Sequence, residues 1–241
     1  MNRISVLAVA MGVVAILAAG PASYGQATRP SRYHPVINPA NFVGVIDNRY
    51  LPLSPGTTFI YEGTKGGVPA SNEVYVTHET KVILGVTCIV VRDLAFLDGV
   101  LEEETLDWYA QDKRGNAWYF GEDARELDES GNVVSTEGSW EAGVNGALPG
   151  IVMVADPHVG VRYRQEYAPG VAEDMAKVSS VDKEASVPHG EFDDLLLTKE
   201  WTPLDPGVVE HKYYAPGVGF ILGVMVKGGS ELTELVDITT D

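Results

Sequence analysis

Cysteine is almost missing from this chain: 241 residues contain one, Cys88. A single thiol closes no intrachain disulfide, which excludes a stapled scaffold. No cysteine lies at the end of the apolar N-terminal run, so no lipid anchor is expected there. Cys88 lies within Val86-Thr87-Cys88-Ile89-Val90-Val91, surroundings that suit a buried, inert thiol. Basic residues are also scarce: 17 Lys and Arg stand against 34 Asp and Glu, a formal charge of −17. That balance repels phosphate backbones and anionic lipid surfaces and argues against nucleic acid as a partner. No segment sustains a helical period, which argues against an α or α/β fold. The chain lacks Gly-x-Ser-x-Gly, His-x-x-x-His and a Gly-rich phosphate loop. Serine-hydrolase, zinc-helix and P-loop chemistry therefore have no support.

What is present begins with an address. Met1-Asn2-Arg3 precedes an apolar run from Ile4 to Gly20 and a small-residue zone, Pro21 to Gln26. This pattern predicts a secretory signal peptide over residues 1–25, cleaved after Gly25, and a secreted or periplasmic protein. The apolar run is short for a span of about 20 residues, so no stable membrane insertion is expected after cleavage. Losing Arg3 leaves 34 acids against 16 bases, a charge of −18. Residues 26–53 carry Pro30, Pro35, Pro39 and Pro52, too closely spaced for a helix or central strand. They are expected to form an extended leader on the surface of a single β domain over 54–241.

From Thr57 onward the punctuation is that of strands and hairpins. Thr57 to Glu62 is β-branched and aromatic, Glu73 to Thr80 alternates, and Val86 to Val91 reads as a strand buried on both faces. Asp98-Gly99 marks a two-residue hairpin. Asp112 to Asn116 and Asp128 to Asn132 share one turn design, in which Asp bonds the turn backbone while Gly and Asn accept positive φ. The chain also resembles itself. Gly56 and Glu62 correspond to Gly160 and Glu166 at an offset of 104. Val82, Gly85 and Asp107-Trp108-Tyr109-Ala110 correspond to Val187, Gly190 and Lys212-Tyr213-Tyr214-Ala215 at 105. The expectation is an all-β, mostly antiparallel fold: two duplicated meanders, 54–125 and 158–236, forming a curved sheet, open barrel or sandwich. Residues 126–157 would be an insertion between them.

Asp107-Trp108-Tyr109-Ala110-Gln111-Asp112 and Tyr214-Ala215-Pro216-Gly217-Val218-Gly219 resemble strand motifs of secreted bacterial β-proteins of unassigned function. Those proteins are loosely similar to the half-barrel folds of periplasmic lipid and lipoprotein carriers. The motifs are turns and strands, so the resemblance implies a fold and transfers no catalytic residue.

Candidate sites follow from residue type. Trp108, Tyr119, Tyr213 and Phe220 are expected to line a β-concavity for a small hydrophobic or amphipathic ligand. The acids Glu102, Glu104, Asp107 and Asp112 offer the hard oxygens that suit Ca²⁺, without matching a Ca²⁺-loop pattern. Scattered surface residues account for the five histidines. The reading is a non-enzymatic exported binding protein needing no cofactor. The alternatives are an extracytoplasmic hydrolase using carboxylates of 102–126, with or without a divalent cation, and an interaction module presenting 126–157.

Overall fold

The computed structural model describes residues 33–241 and, upstream, only a short ladder of Val9–Ala10 with Val13–Val14. The signal-peptide expectation lies outside the described residues. Among the described residues the main sheet has sixteen strands, and twelve of them make its frame: β1 Thr57–Lys65, β2 Val68–Ile83, β3 Val86–Leu97, β4 Val100–Asp112, β5 Ala117–Leu127, β6 Leu148–Met153, β7 Glu166–Tyr167, β8 Met175–Val187, β9 Gly190–Trp201, β10 Val209–Ala215, β11 Gly219–Lys227 and β12 Glu231–Thr240. Every pairing is antiparallel.

The spatial order is Arg162–Arg164, then β8 through β12, then β1 through β7. β1 through β5 and β8 through β12 are meanders with short connections, whereas residues 128–147 between β5 and β6 carry two short strands, Val133–Ser135 and Trp140–Glu141, that pair back onto β5. At Asp98-Gly99 both residues take positive φ, 50° and 78°, as a two-residue hairpin with the right twist requires. Asp112 and Asp128 each accept the amides of residues two and four positions on. The meanders join where β12 lies beside β1, from Glu231 opposite Lys65 to Thr240 opposite Thr57.

One segment supplies both ends of the sheet. Arg162–Arg164 pairs with β8, while β7 pairs with β6 through two residue pairs, Leu148 with Tyr167 and Pro149 with Glu166. Gln165 is the corner, and its amide and that of Glu166 both reach the Asp174 carbonyl. The sheet thereby curls into a nearly closed barrel, with a seam of few backbone bonds at 162–167. Gly150 of β6 is needed there, because a Cβ would collide with the Gln165 carbonyl.

The leader differs from expectation. Ile46, Tyr50, Leu51 and Leu53 are buried, so residues 42–53 contribute side chains to the core while Val45, Asp47 and Arg49 stay exposed. Phe42–Val43 pairs with the end of β4, and the Arg49 carbonyl accepts from the Gly217 amide. The leader thus ties the β4–β5 turn to the β10–β11 turn. Its prolines bar it from a long ladder, but they leave its apolar side chains free to fill one end of the barrel. Upstream, Tyr33 donates to the Pro149 carbonyl, and its ring meets Tyr167 and the Arg164 guanidinium. The seam is therefore covered from outside.

Candidate functional site

Alternation along a strand decides what enters the barrel. On β4 the odd positions Glu103, Thr105, Asp107 and Tyr109 face inward, beside Asp93 of β3 and Tyr119 and Glu122 of β5. In the second meander the inward set includes Thr198, Glu200, Glu210, Lys212 and Tyr214. Tyr61 of β1 bridges the two sets: its ring packs on Phe220 and its hydroxyl donates to the Phe220 carbonyl. The interior is consequently polar as well as aromatic.

Its charge is lopsided. Among the described residues, eight buried side chains are acids (Asp93, Glu103, Asp107, Glu122, Glu166, Asp174, Glu200 and Glu210), and the only buried base is Lys212. Two like charges 4 Å apart repel by about 4 kcal/mol at an effective dielectric of 20, so this set does not ionise together. Burial pushes Asp107, Glu103, Asp174 and Glu210 each up to about 7. Asp93, Glu122 and Glu166 are raised further, by burial first and by neighbouring carboxylates second.

Hydrogen bonding requires a proton in the same place. The Tyr119 hydroxyl lies 2.5 Å from Asp107 Oδ1 and 3.0 Å from Glu122 Oε2. One hydroxyl donates one proton, so the second short contact needs a proton carried by a carboxyl. Tyr119 and its two acids are therefore a proton-sharing unit. Across the interior, Lys212 Nζ sits 3.3 Å from Glu200 and 3.4 Å from Glu210, while Thr198 and Tyr214 donate to Glu200. Burial lowers the Lys212 pKa, but these carboxylates outweigh it and hold the amine charged.

Glu166 stands between the two units at the seam. It is fully buried, and neither carboxylate oxygen has a hydrogen-bond partner. It feels Asp174, Glu122 and Asp107 as repulsion and Lys212 as attraction. Trp140 adds an unpartnered buried donor, its indole N–H, and its ring meets Tyr119 edge-on.

The expected aromatic quartet is not assembled. Tyr119 and Phe220 face inward, whereas Trp108 and Tyr213 lie on the opposite face, one position off the inward residues Asp107, Tyr109, Lys212 and Tyr214. Trp108 packs instead under Lys81, whose Nζ is 3.3 Å from the ring centre. The expected cation set is dispersed as well. Glu102 and Glu104 point outward and Asp107 inward, which is what an odd–even split on one strand dictates. Asp112 sits in its turn, where the amides of Arg114 and Asn116, the Asn116 side chain and the Trp118 indole consume its oxygens. Among the described residues, no three His, Cys, Asp or Glu side chains are grouped to hold a metal ion. Alternation could have separated Glu102 and Glu104 from Asp107 at the outset. Nothing in the sequence distinguishes Glu166, Asp174 or Glu210 from surface acids.

Fold and interior together define an antiparallel, barrel-like β-protein with an acid-rich core. The chain is similar to two solved structures. One is a "putative exported protein with YmcC-like fold" from Bacteroides fragilis, at 12% identity and a TM-score of 0.47, covering 80% of this chain and all of that one. The other is a "putative lipoprotein" from Parabacteroides distasonis, at 10% identity and a TM-score of 0.43, covering 80% and 99%. Neither a protein-family model nor a curated protein matches the chain.

Proposed function

We propose that this is an exported, non-enzymatic binding protein whose barrel interior takes a small amphipathic cation, an ammonium or amidinium group on a compact apolar body. The observation that carries the reading is Glu166: two carboxylate oxygens, fully buried, without partners, in a core holding eight acids and one amine. A cation placed there would displace protons that the crowded carboxyls hold and meet oxygens of Glu166, Asp107 and Glu122 that have no hydrogen-bond partner. The aromatic cluster in which Tyr109 stacks on Tyr119 and Trp140 meets Tyr119 edge-on would flank its apolar part. Entry would be at the seam, where the sheet is closed by two residue pairs, with the Tyr33 side chain that covers it moving aside. Export rests on the N-terminal pattern of residues 1–25. We read the two meanders as copies of one ancestor. Asp107 and Lys212, 105 positions apart, are both fully buried, as are Tyr109 and Tyr214.

The test is titration calorimetry of the purified protein with a panel of small amines, amidines, neutral isosteres and carboxylates at pH 7.5. Binding of the cations alone, abolished by Glu166→Gln, is the expected result. Equal binding of the neutral isosteres, or no binding of any cation, would overturn the reading.

A further inference from the structure

A second site lies outside the barrel, where the leader crosses the β4–β5 turn. A cleft of about 390 Å³ opens there, lined by Val36, Asn41, Phe42, Asp112, Lys113, Arg114 and Trp118. Its aromatic wall is fixed. The half-buried rings of Phe42 and Trp118 meet edge to face at 6.1 Å, and the Trp118 indole N–H is tied to Asp112 at 2.9 Å. Its rim is fixed too, because the Lys113 amide bonds the Asn41 carbonyl at 2.7 Å.

The charges at the cleft are unlike those of the molecule. Asp112 is surrounded by four donors, and those bonds outweigh its partial burial and hold its pKa low. Its charge is therefore turned inward to the turn. Lys113 and Arg114 are the one consecutive basic pair among the described residues. Both are exposed, and neither forms an ion pair among the described residues. In a chain of charge −17, two adjacent unpaired cations beside an aromatic wall are a local reversal of sign.

We propose that this cleft binds a carboxylate-bearing sugar, a uronic-acid residue within an acidic glycan. The ring faces of Trp118 and Phe42 suit the C–H face of a pyranose. The exposed Asn41 amide suits its hydroxyls, and Lys113 with Arg114 suits its carboxylate in the bidentate manner guanidinium favours. An open trough on the surface accommodates a chain passing through, where an enclosed cavity would not. The site is independent of the acid-lined interior and uses none of its residues.

The experiment is titration calorimetry of the purified protein with a short oligogalacturonate, its neutral counterpart of equal length and an acidic peptide of equal charge. We expect the acidic sugar to bind and the other two to bind at least roughly tenfold more weakly, with affinity falling as salt rises. The double variant Lys113→Glu with Arg114→Glu, both side chains exposed and free of ion pairs, should lose that binding with no change in melting temperature. Trp118→Ala should lose it as well, while Glu166→Gln should keep it. Absent binding, equal binding of the neutral sugar or the peptide, or binding indifferent to the double charge reversal would each overturn the proposal.

Discussion

Lys212 is fully buried, with its amine between the carboxyls of Glu200 and Glu210. Removing one partner of such a set leaves the other charges buried and unpaired, at a cost of about 3–5 kcal/mol. Lys212→Met should therefore destabilise the protein by about that much at pH 8, measured by urea unfolding. At pH 5.5 the loss should be much smaller, because Glu210, raised to about 7, accepts a proton there in the folded state. An equal loss at both pH values would mean that the carboxyls do not take up the slack. Nothing in the sequence foretold this residue's role. The expectation for Glu210-His211-Lys212-Tyr213 turns Tyr213 inward, whereas the barrel turns the even positions Glu210 and Lys212 inward. Asp107 was legible as a candidate, but its partner Tyr119 had been assigned to an apolar wall.

The strands themselves were legible because their signals are local. Thr57 to Glu62, the Asp98-Gly99 turn and the two Asp-to-Asn turns are each written in two to six residues, and each appears where expected. Long-range closure leaves no such trace. The burial of Leu51 and Leu53, the pairing of β1 with β12 and the double pairing of 162–167 are properties of the closed sheet and have no local signal. Two glycines mark these joints: Gly150 at the seam and Gly63 where β1 meets β12, each facing a backbone carbonyl across the join. Overpacking against backbone typically costs about 1–3 kcal/mol. Gly63→Ala and Gly150→Ala should each lower stability by about that amount. Hydrogen exchange should then separate them: Gly150→Ala should speed exchange in β6 and β7, and Gly63→Ala in β1 and β12. Uniform acceleration in both variants would show that the barrel opens as one unit.

For the molecule as a whole, the acid-rich core sets an unusual pH response. Asp107 has an ordinary pKa of about 3.9 when unfolded, and burial raises it to about 7 in the fold. A carboxyl raised in this way binds its proton more tightly in the folded state. Its contribution is fully present below about pH 4 and is lost as pH rises through about 7. Glu103, Asp174 and Glu210 act in the same direction and window. Melting temperature should thus fall by several degrees between pH 5.5 and pH 8, where many proteins are flat. A melting temperature that rises over that interval would contradict the protonated core. The β1–β12 ladder carries a different consequence. It pairs Thr57 with Thr240, so the first long strand to leave a ribosome or a translocation channel has no lasting neighbour on that side until the last strand follows. During all of that passage β1 is an open edge, able to recruit foreign strands. Delivery of this protein is accordingly a race between completing the chain and losing it to aggregation, and holdase protection of residues 57–65 would decide the yield.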